Sequence, residues 1–277
     1  MMTKITFIGS GNMGFSLMSG ISKNGKNTKI KIGISDADTE KAEVTAKALG
    51  GEVFSSNAKA AEKAAYIFLA VKPLVMKKVL EEIAPVIQKR LAAGNVPVVV
   101  SMAAGWTISE IQAVVGGEVP VARIMPNTPT LVREGVTAIV VSPQVSAILA
   151  AELETMLEET GEVARIEEHF FNAITALSGS GPAFVYMFID ALIDGGVLAG
   201  LPRPKAVYFA AQTVLGATAM VMETGLSPSQ LKDMVCSPGG TTITGVAALE
   251  AAAFKSTVMQ AVHAAWKRAE ELTQHGK

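Results

Sequence analysis

"FIGSGNMG", residues 7–14, sets Gly9, Gly11 and Gly14 in the spacing GxGxxG, with the strand-like run "KITFIG" leading in and a helical pattern leading out. At such a turn the first glycine permits the tight reversal, the second lets the backbone approach a pyrophosphate, and the third lets helix and strand pack closely. The loop Gly9, Ser10, Gly11, Asn12, Met13 and Gly14 then offers helix-start N–H groups to phosphates. A plain glycine turn has the same spacing. What favours a dinucleotide is the flanking strand and helix, together with "IKIGISDAD" about 20 residues further on. There Asp36 can accept hydrogen bonds from the adenosine ribose hydroxyls, which favours NAD, whereas the Ser35 hydroxyl can bond a 2'-phosphate, which favours NADP. No arginine stands nearby to decide between them, and Asp36 would equally cap the next helix.

Outward from this loop, residues 4 to about 165 alternate strand-like runs with helical segments. "KIKIGIS", "AYIFLAV", "VPVVVSM", "VPVARIM" and "VTAIVVS" read as further strands, and "DTEKAEVTAKALG" and "TISEIQAVVGG" as helices with glycine stops. This is the grammar of βαβ units: an α/β fold with a mostly parallel sheet covered on both faces, a Rossmann-type domain over residues 1–165. Ligands of such sheets collect at the carboxyl ends of the strands. "LAVKP" brings Ala70, Val71, Lys72 and Pro73 to that edge, and "SMAAG" brings Ala103, Ala104 and Gly105, small residues that leave room for a flat ring. Lys72 is a candidate cofactor contact or a solvated lysine. Asn127, between two prolines in "RIMPNTPT", either presents an amide to the ring or turns the chain.

Past Ile166 the strand signals stop, and residues 166–277 read as an all-α domain of about five helices. One of them, 182–198, is apolar on nearly every face, broken only by Asp190 and Asp194. A helix of this kind must be covered all round, which a helical third this small struggles to do alone, so a homodimer through this domain is expected. "SGSGPAFVY" reads as a glycine-rich turn opening that helix, with Pro182 in its first turn and Ser178 and Ser180 as caps or pocket lining. "SPGGTT", 237–242, reads as a second helix start, capped by Ser237 or Thr241.

The bulk numbers narrow the partners. The chain has 277 residues, a formal net charge of −1 and 49% hydrophobic side chains, with charges scattered singly, so nothing favours nucleic acid or an anionic membrane over small molecules. One cysteine, Cys236, and three histidines leave no disulfide and little from which to build a metal site, and they fit a reducing cytoplasmic setting. Cys236 lacks a partner base and reads as a packing thiol. His169 reads as a helix-start residue, His263 as surface and His275 as tail. No run reaches the roughly 20 uninterrupted apolar residues of a membrane span, and the amino terminus has no targeting pattern.

Taken in order along the whole chain, "FIGSGNMG", "FLAVKP", "SMAAG", "RIMPNTP", "TALSGSGPAFVY", "DGGVLAGLPR" and "QLKDMVCSPGGTTITG" resemble the pyrroline-5-carboxylate reductase family. The last two blocks are the most specific. The resemblance implies a Rossmann domain followed by a helical dimerisation domain, rings of dimers up to decamers, and reduction of 1-pyrroline-5-carboxylate to proline with NADPH or NADH. It also implies cofactor phosphates on Gly9 to Met13, an adenosine-side contact at Asn57, and a nicotinamide side lined by Ala70 to Pro73 with Ala103 and Ala104. The substrate carboxylate would be held by Thr241 and Thr242. In that light "SPGGTT" becomes an anion cradle: N–H groups of Gly239, Gly240, Thr241 and Thr242, the hydroxyls and Ser237 hold a carboxylate without a cation that would oppose the neighbouring iminium. The ring is then either already protonated or receives its proton from Thr242 or an ordered water.

Two rivals share the nucleotide loop. A β-hydroxyacid dehydrogenase would need a lysine on the helix after its glycine-rich segment, and residues 181–196 contain none. A non-catalytic dinucleotide sensor would have lost the glycine and threonine cradle, which is complete here.

Overall fold

The computed structural model describes residues 3–23 and 30–275. The reading of the first two residues and the expected start of the second strand at Lys29 lie outside the described residues, as does the side chain of His275. Contacts divide the described chain into two compact units: residues up to Ser180 together with those from Ala265 onward, and Gly181–Ala264.

The first unit contains one eight-stranded sheet. In chain order its elements are β1 (Thr3–Ile8), α1 (Asn12–Lys23), β2 (Ile30–Ser35), α2 (Thr39–Leu49), β3 (Glu52–Val53), α3 (Asn57–Ala61), β4 (Tyr66–Leu69), α4 (Met76–Ala92), β5 (Val98–Ser101), α5 (Ile108–Val115), β6 (Val121–Met125), β7 (Gly135–Val141), α6 (Ala147–Glu158), β8 (Gly161–Arg165) and α7 (Phe171–Ile174). Strand order is 3-2-1-4-5-6-7-8, with β6 and β7 antiparallel and every other pair parallel. The first six strands thus have the dinucleotide-fold order 3-2-1-4-5-6.

The strands are apolar on both faces because each face carries helices. On β4, Tyr66 and Phe68 join the core under α1, α2 and α6, while Ile67 and Leu69 join the one under α3, α4 and α5. Phe7 and Phe68 stack across β1 and β4 with ring centroids 4.5 Å apart. The helix ends follow their sequence signals. Asp38 caps α2 and Gly50 ends it in the left-handed region, and Thr107 with Glu110 forms a capping box on α5. Asp36 is therefore not the α2 cap.

Arg123 on β6 is an inward charge that the sequence pattern conceals. Its guanidinium lies 3.7 Å from the Phe171 ring centroid and 2.8 Å from Glu168, whose carboxylate also accepts the Ile108 N–H. Removing Glu168 would strand a buried cation. Glu168→Ala is expected to cost about 2–3 kcal/mol in a denaturant titration, below the usual 3–5 for a buried pair because Glu168 reaches solvent. The paired Arg123→Met, Glu168→Leu variant should recover most of it, and equal losses in both variants would rule out a stranded charge.

After α7, Thr175–Gly179 forms a π-helical turn with the Ser180 N–H bonded to the Thr175 carbonyl at 3.0 Å. The expected glycine-rich turn at "SGSG" is thus a widened helical turn that runs directly into the next helix. The strands do end at Arg165, but the first compact unit continues to Ser180, because Phe171, Ile174 and Ala176 are buried or packed in it.

The second unit contains α8 (Gly181–Leu198), α9 (Arg203–Thr224), α10 (Pro228–Val235), α11 (Thr241–Ala251) and the first part of α12 (Phe254–His275). The last turns of α12 belong to the first unit, where the Thr273 hydroxyl donates to the Asn172 side chain at 3.3 Å. Gly105 there has φ +82°, and a Cβ on it would fall 2.8 Å from the Leu272 carbonyl oxygen, so both the backbone conformation and the close approach require glycine. Within the second unit only Ile193, Ala206 and Ala210 form a buried cluster, between α8 and α9. Met187 is 74% and Leu198 90% exposed, with Tyr186, Val185, Tyr208 and Phe209 also open. The apolar helix expected to need covering is thus uncovered in the single chain.

Candidate active site

The carboxyl ends of β1, β2, β4 and β5 open onto a cleft of about 1080 Å3. Its walls include Gly9, Gly11, Asn12, Met13 and Gly14 from the glycine loop, Ser35, Asp36 and Asn57, Ala70 to Pro73, and Ala103 with Ala104. Five separate stretches singled out in the sequence thus meet in one place. They do so because parallel strands deliver their ends to one edge.

The loop itself is fixed by close packing. Gly9 adopts φ +101°, and a Cβ there would lie 2.5 Å from the Ala70 carbonyl oxygen. At Gly14 a Cβ would lie 2.8 Å from the Gly9 oxygen, whereas at Gly11 it would meet nothing within 4 Å. So Gly9 and Gly14 are required by the protein's own backbone, and Gly11 leaves open space facing the cleft.

Ser10 departs from the expectation. It is buried behind the loop, and its N–H and hydroxyl both donate to Asp36, at 2.6 and 2.7 Å. The other Asp36 oxygen accepts the Asp38 N–H at 3.0 Å. Partial burial pushes the Asp36 carboxyl up, but the Asp38 N–H, the Ser10 hydroxyl and N–H, and the charge of Lys41 outweigh it and hold the group below its ordinary value. Asp36 is therefore a fixed, ionised carboxylate on the cleft wall. Next to it, the Ser35 hydroxyl donates to Asn57 Oδ1 at 2.7 Å, and Asn57 Nδ2–H donates to Glu82 at 2.9 Å.

At the other end the 70–73 and 103–106 loops are tied together by the Trp106 indole N–H, which donates to the Pro73 carbonyl at 3.2 Å. Lys72 is exposed on the rim and starts a short 3-10 turn. Asn127 does not line the cleft. Its Oδ1 accepts the Val136 N–H at 3.0 Å and its amide faces Ser178 at 3.4 Å, so it turns and pins the chain. Thr128 and Leu131, from the same loop, and Lys78, Val79 and Glu82, from α4, line the cleft without having been singled out in the sequence. The α4 residues were within reach, because that helix starts directly after "LAVKP" and its first turns face the same edge.

In the second unit, Gly239 adopts φ +66° and Gly240 caps α11 through its backbone, so neither Ser237 nor Thr241 serves as the side-chain cap. The first intrahelical N–H is that of Thr244, bonded to the Gly240 carbonyl at 3.3 Å. This leaves the N–H groups of Thr241, Thr242 and Ile243 as the open donors of a helix start. Gly240 is a correction: its N–H is already given to the Ser237 carbonyl at 3.1 Å, so it is not a free member of the expected cradle. The Thr241 and Thr242 side chains are exposed. Cys236 ends α10 as a partly exposed free thiol. His169 sits against Phe170 and lies 3.3 Å from Glu167, apart from the cleft-lining residues.

Two family models match the chain, pyrroline-5-carboxylate reductase dimerisation over residues 168–272 and NADP oxidoreductase, coenzyme F420-dependent, over residues 4–105. Among curated relatives, pyrroline-5-carboxylate reductase from Escherichia coli is 38% identical over 98% of both chains. The enzyme of the same name from Synechocystis is 43% identical over 79% of each. Among solved structures, Plasmodium falciparum pyrroline carboxylate reductase with NADP bound superposes with a TM-score of 0.87 at 33% identity, covering 98% of each chain.

Proposed function

The chain belongs to the pyrroline-5-carboxylate reductase family, and from that premise we propose that it reduces 1-pyrroline-5-carboxylate to L-proline, the last step of proline synthesis, using NADPH or NADH. The observation that carries this is the convergence of the glycine loop, Asp36, Asn57 and two small-residue strand ends on one cleft, in a chain related to these enzymes over its full length. The reduced nicotinamide, when bound, supplies a hydride to the imine carbon. The imine nitrogen keeps the electron pair of the broken π bond and, with one proton, becomes the ring amine.

What the residues contribute is chiefly placement. Ala70, Val71, Ala103 and Ala104 leave a shallow wall for a flat ring, and Lys72 and Pro73 border it. The substrate carboxylate is assigned to the α11 start, with the N–H groups of Thr241 and Thr242, both hydroxyls, Ser237 and the exposed Gly239 turn around it. An iminium already carries the proton that a ketone would need from an acid, so the absence of a lysine on α8 is no handicap. Thr242 is the candidate to hold a proton or water at the nitrogen.

Thr242→Ala removes one hydrogen bond to a charged group, a loss of about 1.5–3 kcal/mol. The expected result is a roughly 10- to 100-fold rise in KM for pyrroline-5-carboxylate, with the dissociation constant of the cofactor within about two-fold of wild type. A collapse of cofactor affinity instead would move this loop out of the substrate site. For the activity itself, purified protein is mixed with reduced cofactor and pyrroline-5-carboxylate and the cofactor absorbance is followed. Cofactor binding without oxidation would favour the sensor, and oxidation only with a β-keto or semialdehyde acid would favour the dehydrogenase.

We further infer a cytoplasmic homo-oligomer built from dimers through α8 and α9, in rings up to the decamer that the resemblance implies. Among the described residues, two helical stretches, Glu168–Leu198 and Arg203–Thr224, are long and apolar enough to cross a membrane. Asp190 and Asp194 lie inside the first and would be costly in hydrocarbon. A dimerisation model matching this segment supports protein and not lipid as the cover, and neither nucleic acid nor membrane enters the reading.

A further inference from the structure

The adenosine end of the cleft points to a cofactor preference. We infer that Asp36, held by Ser10, selects NADH over NADPH in this chain; the inference rests on the cleft being the dinucleotide site.

The two sequence signals at the end of β2 oppose each other, since Ser35 suits a 2'-phosphate and Asp36 suits a free ribose hydroxyl. The structure separates them. Ser35 is only 3% exposed, and its hydroxyl proton is already given to Asn57 Oδ1 at 2.7 Å, so it is not available to a phosphate oxygen. Asp36 stands on the cleft wall as an acceptor. Of its two oxygens, one takes both Ser10 donors and the other takes the Asp38 N–H, which leaves that second oxygen able to accept a further donor. A ribose hydroxyl is such a donor. A 2'-phosphate brings a charge of roughly −1.5 to −2 at neutral pH and mainly acceptors.

The charges around the position do not compensate. The cations lining this end are Lys41 and Lys78, and the carboxylates are Asp36 and Glu82, with Asp38 adjoining on the α2 cap. Among the described residues, no arginine lines the cleft. The amino terminus of α2, whose dipole would attract an anion, is already capped by Asp38, which accepts the Lys41 N–H. Thr39 and Ser55 offer hydroxyls, but these are neutral. At this end the two lysines are matched by Asp36, Glu82 and the adjoining Asp38, so the described lining carries no net positive charge for a dianion.

The test is direct binding to protein without substrate, by calorimetry with NADH, NADPH, AMP and 2',5'-ADP. Wild type should bind NADH at least about ten-fold more tightly than NADPH, with AMP over 2',5'-ADP in the same sense. Asp36→Ser should bring the NADH to NADPH ratio to about one or below. Should that variant fail to fold, Ala37→Arg, an exposed position on the same wall, should raise NADPH affinity about ten-fold while leaving NADH nearly unchanged. Equal or tighter NADPH binding by wild type, or a ratio unmoved in both variants, overturns the inference. Failure of the reductase reading looks different: the cofactors bind with the stated preference and neither is oxidised when pyrroline-5-carboxylate is added.

Discussion

Replacing Gly9 by alanine is expected to weaken binding of the reduced dinucleotide by roughly two orders of magnitude or more and to destabilise the first unit by about 2–4 kcal/mol. Two costs coincide. The residue would have to hold φ +101°, and its Cβ would press to 2.5 Å on a main-chain oxygen. Neither side can yield cheaply: the Gly9 N–H is bonded to the Ser35 carbonyl and the Ala70 N–H to the Ile8 carbonyl, both at 2.8 Å. Relief would require β1 and β4 to separate where they flank the cleft. Gly11→Ala serves as the control, because a Cβ there meets nothing within 4 Å. It should keep the wild-type melting temperature and show its effect only in cofactor titrations. If Gly9→Ala binds cofactor within about three-fold of wild type, the loop is not the rigid cradle described.

Met187→Glu on α8 should have the second large effect, on assembly. Met187 is 74% exposed beside Tyr186, in a helix with only Ile193 buried. If α8 is the dimer face, a carboxylate there is buried unpaired, and losses of about 4 kcal/mol are typical of interface hot spots. The dimer dissociation constant should then rise roughly a thousand-fold, giving monomers in sedimentation at micromolar concentration. Val44→Glu, at an apolar residue 65% exposed on α2, should leave assembly untouched. Wild-type sedimentation of Met187→Glu would place the interface elsewhere.

How far the sequence discloses this molecule depends on how local the cause is. The six strands that carry β-branched runs are legible because burial on both faces writes apolar residues at consecutive positions. The two-residue β3 has no pattern to show, and β8, "GEVAR", carries two charges at the edge of the sheet. The capping box at Thr107 is local, its partner three residues away, but even a local signal can slip: the sequence offers Asp36 as the α2 cap and the structure uses Asp38. By contrast, Glu168 reaching Arg123 across 45 positions, the π-helical turn, and the return of the α12 end to the first unit arise from packing, which leaves no periodic mark. The site divides along the same line. Motif glycines and strand ends announce the cleft, but whether the Ser35 hydroxyl is free depends on Asn57, 22 residues later, and on Glu82 behind it.

Trp106 gives the molecule a property of a different kind. Its indole is anchored to the Pro73 carbonyl, on the loop proposed above to border the nicotinamide. Indole fluoresces in the spectral range where reduced nicotinamide absorbs, so excitation passes from the one to the other when both are present. With the nicotinamide placed as proposed, cofactor occupancy is expected to lower the intrinsic emission, an optical gauge that needs no label.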